Sequence, residues 1–162
     1  MTESGRQGNG LTAMRHSERS IHALHHPVEL WRDSWGIPHI RAKSQADAFA
    51  ALGYAHAEDR LWQMDLLRRR AFGRWAEWRG QEAVEADRLA RRLGGERAAR
   101  RDYEALGPEA RDMLESYTRG VNSFIGQGRF PAEYDLLKES PEPWRPWDSI
   151  AAMRQIGFLM GS

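Results

Sequence analysis

His56, Glu58, Asp59 and Asp65 stand close together in the first half of the chain. Carboxylates so spaced can divide general-acid and general-base work, one held neutral and the other ionised. The same stretch carries Arg60, Arg68 and Arg69, so ion pairing is the competing use of these groups. His56 and Arg60 share a helical face, but the HExxH spacing of a zinc site is absent. His39 follows Pro38; a hydrogen-bonded structural imidazole is its plainer use, and no Ser-His-Asp arrangement can be built around it. His16, His22, His25 and His26 gather near the N-terminus without carboxylates at ligand spacing, which sets a solvated tail against a metal site. Gly94-Gly95-Glu96 and Gly126-Gln-Gly128 are not phosphate loops, because neither follows a strand and no Gly-Lys-Ser/Thr is present. The chain has no cysteine, which removes thiolate catalysis, disulfides and cysteine-based metal sites. Taken alone, it lacks a convincing catalytic centre.

The elements that must position these groups are mostly helical. Residues 1–26 are polar and aperiodic and read as a flexible N-terminal arm. Val28–Asp33 and Ile37–Ala42 flank Ser34-Trp35-Gly36 as a β-hairpin, with Pro38 expected at a strand start or edge. A lone hairpin is not stable in water, so it must join a larger sheet, which no other segment here supplies. Ser44 is the expected N-cap of a helix running to about Arg79 with a break near Gly53. Its stripe is Leu61, Met64, Ala71, Trp75 and Trp78, with Arg68 in the gap. Gly73 either weakens this helix or lets another backbone approach. Residues 82–104 are helical and rich in arginine, broken at Gly94-Gly95; a solvated face is weighed against an RNA-binding one. Gly107-Pro108 opens a helix through Met113, Tyr117, Val121 and Phe124 that Gly126 and Gly128 end. Residues 129–147 read as an irregular connection, and Asp148 as the cap of a last helix through Ile150, Met153, Ile156 and Leu159.

Composition narrows the classes. The 162 residues carry 24 basic and 23 acidic side chains, a net charge of +1 that argues against a field-driven nucleic-acid binder. No apolar run approaches the roughly 18 residues of a membrane span, and no signal peptide is visible after Met1. Seven tryptophans in so polar a chain, and an apolar stretch at Phe158–Ser162, give the expectation of a part of something larger. A stand-alone helical interaction module using its Trp-rich faces is the alternative.

Two blocks carry a resemblance. Val28-Glu-Leu-Trp-Arg-Asp-Ser-Trp-Gly-Ile-Pro-His-Ile-Arg-Ala42 resembles the opening of the α subunit of penicillin acylases, and Ala48-Phe-Ala-Ala-Leu-Gly-Tyr-Ala-His-Ala-Glu-Asp-Arg-Leu-Trp-Gln-Met64 continues it. Arg68-Arg69, Gly73, Ala76-Glu77, Leu106-Gly-Pro-Glu, Tyr117 and Gly120-Val-Asn122 also fit, and Trp144-Arg-Pro-Trp-Asp148 is similar to the segment before the family's substrate-gating helix. The similarity covers residues 27–162.

The resemblance implies an α+β architecture. A mostly helical α subunit gives a hairpin and helices to the four-layer αββα fold of N-terminal nucleophile hydrolases, completed by a β subunit cut from the same precursor. The catalytic N-terminal Ser is expected on that β subunit, with its own α-amino group as base, so no catalytic residue is expected here. The substrate implied is a small N-acyl amide, such as a β-lactam antibiotic or an acyl-homoserine lactone. The last helix is expected to line the acyl pocket through Gly157, Phe158, Met160 and Gly161, where glycines and Met160 replace bulkier or charged family residues. No cofactor and no metal ligand are expected in this chain; a structural calcium, where bound, would be held mainly by the β subunit. Ser162 is expected to be an α-chain end and not the nucleophile. For localisation the resemblance points to export and the N-terminal sequence to the cytoplasm.

Overall fold

The computed structural model describes residues 23–161, so His16, His22, Ser162 and most of the N-terminal arm lie outside the described residues. Two strands, β1 (Glu29–Arg32) and β2 (Pro38–Arg41), pair antiparallel with Leu30 opposite Ile40 and Trp31 opposite His39. Pro38 opens its strand, where its missing N–H costs no ladder bond. Asp33 shapes the turn: one carboxylate oxygen accepts Trp35 N and Ile37 N at 2.9 and 3.0 Å, the other contacts His39 Nε2 at 3.1 Å, and Gly36 takes the left-handed conformation. These bonds hold the Asp33 carboxyl below its usual range, that to His39 foremost. His39 also stacks on Trp31, so it is the structural imidazole expected of it.

Helix α1 (Gln45–Phe72) is the axis of the molecule. Ser44 Oγ accepts Asp47 N at 3.1 Å and donates to the Asp47 carboxylate at 2.7 Å, the N-cap expected from the sequence. Asp47 is fully buried, and its other oxygen accepts His25 N at 2.7 Å. The bond from Ser44 and those from His25 and His26 keep its carboxyl well below the ordinary range.

The helix differs from expectation in two places. It runs unbroken through Gly53, and its one non-helical residue is Arg60. It also stops at Phe72 instead of continuing to Arg79. Gly73 adopts the left-handed conformation, donating to Arg70 O, while Arg74 N bonds Arg69 O at 2.8 Å, a Schellman stop. A side chain at Gly73 would collide with the Asp87 carbonyl, so the close-approach reading of this glycine holds too. Trp75 and Trp78 therefore belong to the next turn: α2 (Ala76–Arg79), whose first amide, that of Ala76, is taken by the Asp87 carboxylate at 2.7 Å, as is that of Trp75 at 2.9 Å.

A 3₁₀ turn (Gly80–Ala83) leads to α3 (Val84–Leu93) and, past left-handed Gly94, to α4 (Gly95–Ala105). Helix α5 (Pro108–Ile125) begins at the expected Gly-Pro and lies against α1. The crossing is made by glycines: a side chain at Gly53 would overlap the Tyr117 carbonyl, and one at Gly120 the Ala50 carbonyl. Around it pack Tyr54, Ala57, Leu61, Val121, Phe124, Tyr134 and Trp144; a second cluster holds Ala71, Phe72, Ala99, Ile150 and Ala151. The supposedly irregular connection contains α6 (Ala132–Leu137), which places Tyr134 in the core. Of the seven tryptophans only Trp144 is buried, and Trp35 at the hairpin tip is 86% exposed. The chain is thus mostly helical with one two-stranded hairpin among the described residues, as the fold-class expectation had it. No described helix is long and apolar enough to cross a membrane.

Candidate functional site

The last helix, α7 (Pro146–Gly161), carries the residues singled out for the acyl pocket. Pro146 starts it, so Asp148 is in the first turn and not the N-cap. From there its carboxylate reaches back to accept Arg145 N at 2.9 Å, the third-position half of a capping box. The same carboxylate is fully buried and accepts Arg68 Nη1 at 3.0 Å. Arg68, 2% exposed, also donates to Asp65 at 2.6 and 3.0 Å and to Pro143 O at 3.1 Å, and lies 4.9 Å over the Trp144 ring. Asp65 in turn accepts Tyr134 Oη at 2.9 Å. Burial opposes the Arg68 charge, but Asp65 and Asp148 outweigh it and hold the guanidinium above its ordinary range. Burial and the Asp65 charge push the Tyr134 hydroxyl up. One arginine thus ties α1, α6, the 143–144 segment and the start of α7 together.

A second clamp is nearer the surface. Arg74 forks onto Glu142 at 2.7 and 3.1 Å and onto Glu77 at 2.8 and 2.9 Å. The hydrogen bonds from Arg74 pull the Glu142 carboxyl down to about 2. A carboxyl lowered in the fold stabilises it above the ordinary carboxylate range and loses that contribution as pH falls through the folded value. The melting temperature is therefore expected to drop between about pH 4.5 and 2. Glu142→Gln should be less stable at neutral pH by about 1 kcal/mol or less and should lose less on acidification. Thermal melts of the two proteins across that range check this.

Past Ala151 the helix leaves the core. Met153, Ile156, Phe158, Leu159 and Met160 are between 43% and 83% exposed. At about 100° per residue, Met153, Gly157, Met160 and Gly161 fall on one side. A Cβ added at Gly157 or Gly161 would meet nothing within 4 Å, so that side is open at the backbone. Phe158 points elsewhere: with Leu159 it faces a groove walled by Trp75, Arg70, Leu89 and Leu93. The structure thus brings Gly157, Met160 and Gly161 together and sets Phe158 apart from Met160.

The acid–base candidates separate. Glu58 and Asp59 receive Arg32 of the hairpin at 2.9, 2.7 and 3.0 Å. Asp65 belongs to the Arg68 cluster, and His56 meets Tyr117 Oη at 3.1 Å. Burial lowers the His56 imidazole against the pull of Asp59, and raises the Tyr117 hydroxyl to about 12. Ion pairing is therefore what these carboxylates do, Glu58 and Asp59 with an arginine outside their own helix. Among the described residues no three His, Asp or Glu gather as a metal site. The reach of Arg68 to α7 was missed in the sequence; its signal was an arginine on an apolar stripe.

The described residues form a mostly helical chain with one hairpin and a last helix anchored at its start. The chain belongs to the penicillin amidase family, whose model matches residues 27–162. It is 60% identical over 144 residues to a penicillin acylase 2 proenzyme of Pseudomonas sp. (strain SE83), covering 88% of this chain and 19% of that one. It is 38% identical over 140 residues to the acyl-homoserine lactone acylase QuiP of Pseudomonas aeruginosa, covering 85% of this chain and 16% of that one. The chain therefore spans less than a fifth of the length of these curated relatives. A solved thermostable penicillin G acylase from Alcaligenes faecalis superposes with a TM-score of 0.72 at 32% identity, over 80% of this chain and 71% of that chain. That neighbour is an N-terminal nucleophile hydrolase.

Proposed function

We propose that this chain acts as the α subunit of a two-chain amidohydrolase, beside a β subunit cut from the same precursor. The observation that carries this reading is the mismatch of coverage: the family match fills most of this chain, yet only 19% of a relative named as a proenzyme. The ion pairs that Glu58 and Asp59 make with Arg32, and Asp65 and Asp148 with Arg68, support it. So do the exposed hairpin tip and the exposed half of α7, which a partner would cover. In the assembled enzyme the hairpin would join the four-layer αββα core.

In this reading the β subunit's N-terminal Ser attacks the amide carbonyl of an N-acyl substrate. Its own α-amino group takes the hydroxyl proton, as an amine titrating near neutrality can. Donors of the β subunit stabilise the oxyanion; the amine leaves with a proton, and water then releases the acid and restores the Ser. Substrates are β-lactam antibiotics or acyl-homoserine lactones, the classes named in the relatives.

This chain's share is the acyl pocket. Gly157, Met160 and Gly161 form an open, apolar side of α7, with Phe158 a third of a turn or less from Gly157 and Gly161. The two glycines widen the pocket for bulky acyl groups. Because a Cβ added at Gly161 meets nothing within 4 Å and the residue ends the exposed half of α7, Gly161→Phe should fold normally. It is expected to cut kcat/KM on bulky acyl amides tenfold or more while sparing small ones. Equal loss across an acyl series would count against the pocket.

A further inference from the structure

We propose that the groove between α3 and α7 is a socket for the larger chain. It would receive an apolar side chain that the larger chain presents beside a carboxylate. This rests on the two-chain reading and adds a contact surface to it. The sequence reads residues 82–104 as a solvated or nucleic-acid-facing stretch, but α3 turns Leu89 and Leu93, one helical turn apart, to the outside at 48% and 58% exposure. With Trp75 and with Phe158 and Leu159 of α7 they line one groove.

The wall carries one cation and one carboxylate. Arg70 lies 4.6 Å over the Trp75 ring, while the Asp87 carboxylate is already spent on the amides of Trp75 and Ala76. The groove thus offers a mostly apolar lining with Gln155 and one cation whose partner here is an aromatic face, which an apolar side chain next to an Asp or Glu complements. It is continuous, through Phe158 and Leu159, with the exposed half of α7. The occupant is assigned to the rest of the precursor because more than four-fifths of the related proenzyme lies outside the aligned segment.

These 162 residues hold no cysteine, so one introduced here is the single thiol of this segment. The full precursor is expressed with Leu93→Cys, Leu89→Cys or, as a control, Arg88→Cys at a 64% exposed side chain. The purified protein is treated with a maleimide, and labelling of this chain is followed by mass spectrometry. With a larger chain present, Leu93→Cys and Leu89→Cys should label at least tenfold more slowly than Arg88→Cys. Equal labelling in that complex would overturn the socket and leave the two-chain reading standing. Protection in a preparation holding only copies of this chain would overturn both, and would assign the groove to self-association.

Discussion

Gly120→Ala is expected to be the most damaging small substitution in the chain. Gly120 is where α5 meets α1, and a methyl group there would overlap the Ala50 carbonyl oxygen and press on Tyr54 N. Backbone cannot step aside as a flexible side chain can, so the helices must separate along the packed cluster of Tyr54, Val121 and Phe124. Gly53 makes the reciprocal approach to the Tyr117 carbonyl, which leaves no second route for relaxation. A loss of about 3 kcal/mol or more is expected, read as a shifted urea midpoint or as loss of soluble protein. Gly107→Ala is the control, since an added methyl there meets nothing. Equal behaviour of the two variants would contradict the crossing described.

Arg68→Met should come second. It removes the cation shared by the fully buried Asp65 and Asp148, leaving Asp148 with Arg145 at 3.0 Å and Asp65 with only the more distant Arg69 at 3.7 Å. Breaking a buried pair costs about 3–5 kcal/mol when the remaining charge is uncompensated, and with Arg69 and Arg145 still in place the loss should fall near the low end, about 3 kcal/mol. Arg68→Lys should recover only part of the loss, because an ammonium group cannot fork between Asp65, Asp148 and the Pro143 carbonyl. The effect should extend to activity in the fraction that still folds. Asp148 anchors the start of α7, so a loosened α7 misplaces Gly157, Met160 and Gly161. Unfolding curves and acyl-amide turnover on the same preparations check both parts.

These two sites show where the sequence was legible. The Ser44 cap, the Pro38 strand start, the Gly-Pro opening of α5 and its glycine stop are local signals, and local bonds satisfy them. Gly73 is visible as an anomaly, but its left-handed stop depends on its conformation and on Asp87, 14 positions away, so the apolar pattern alone carries the first helix past its true end. Asp148 was recognised as a capping residue and misplaced by one role, because Pro146 had already begun the helix. Arg68 and Asp148 are separated by 80 positions, and periodicity says nothing about which carboxylates a buried arginine will find. The same holds for the groove, which exists only where α3, the Trp75 turn and α7 converge. The pocket candidates came from resemblance, and only the folded helix separates Phe158 from Met160.

The central claim is that this chain is one subunit of an enzyme whose nucleophile lies on another. The most direct measurement is intact mass and N-terminal sequencing of the active protein purified from cells expressing the whole precursor. The account predicts equal amounts of this chain and a larger one whose first residue is Ser, with acyl-amide hydrolysis lost when that Ser is blocked. A lone, folded, monomeric chain of 162 residues would contradict it.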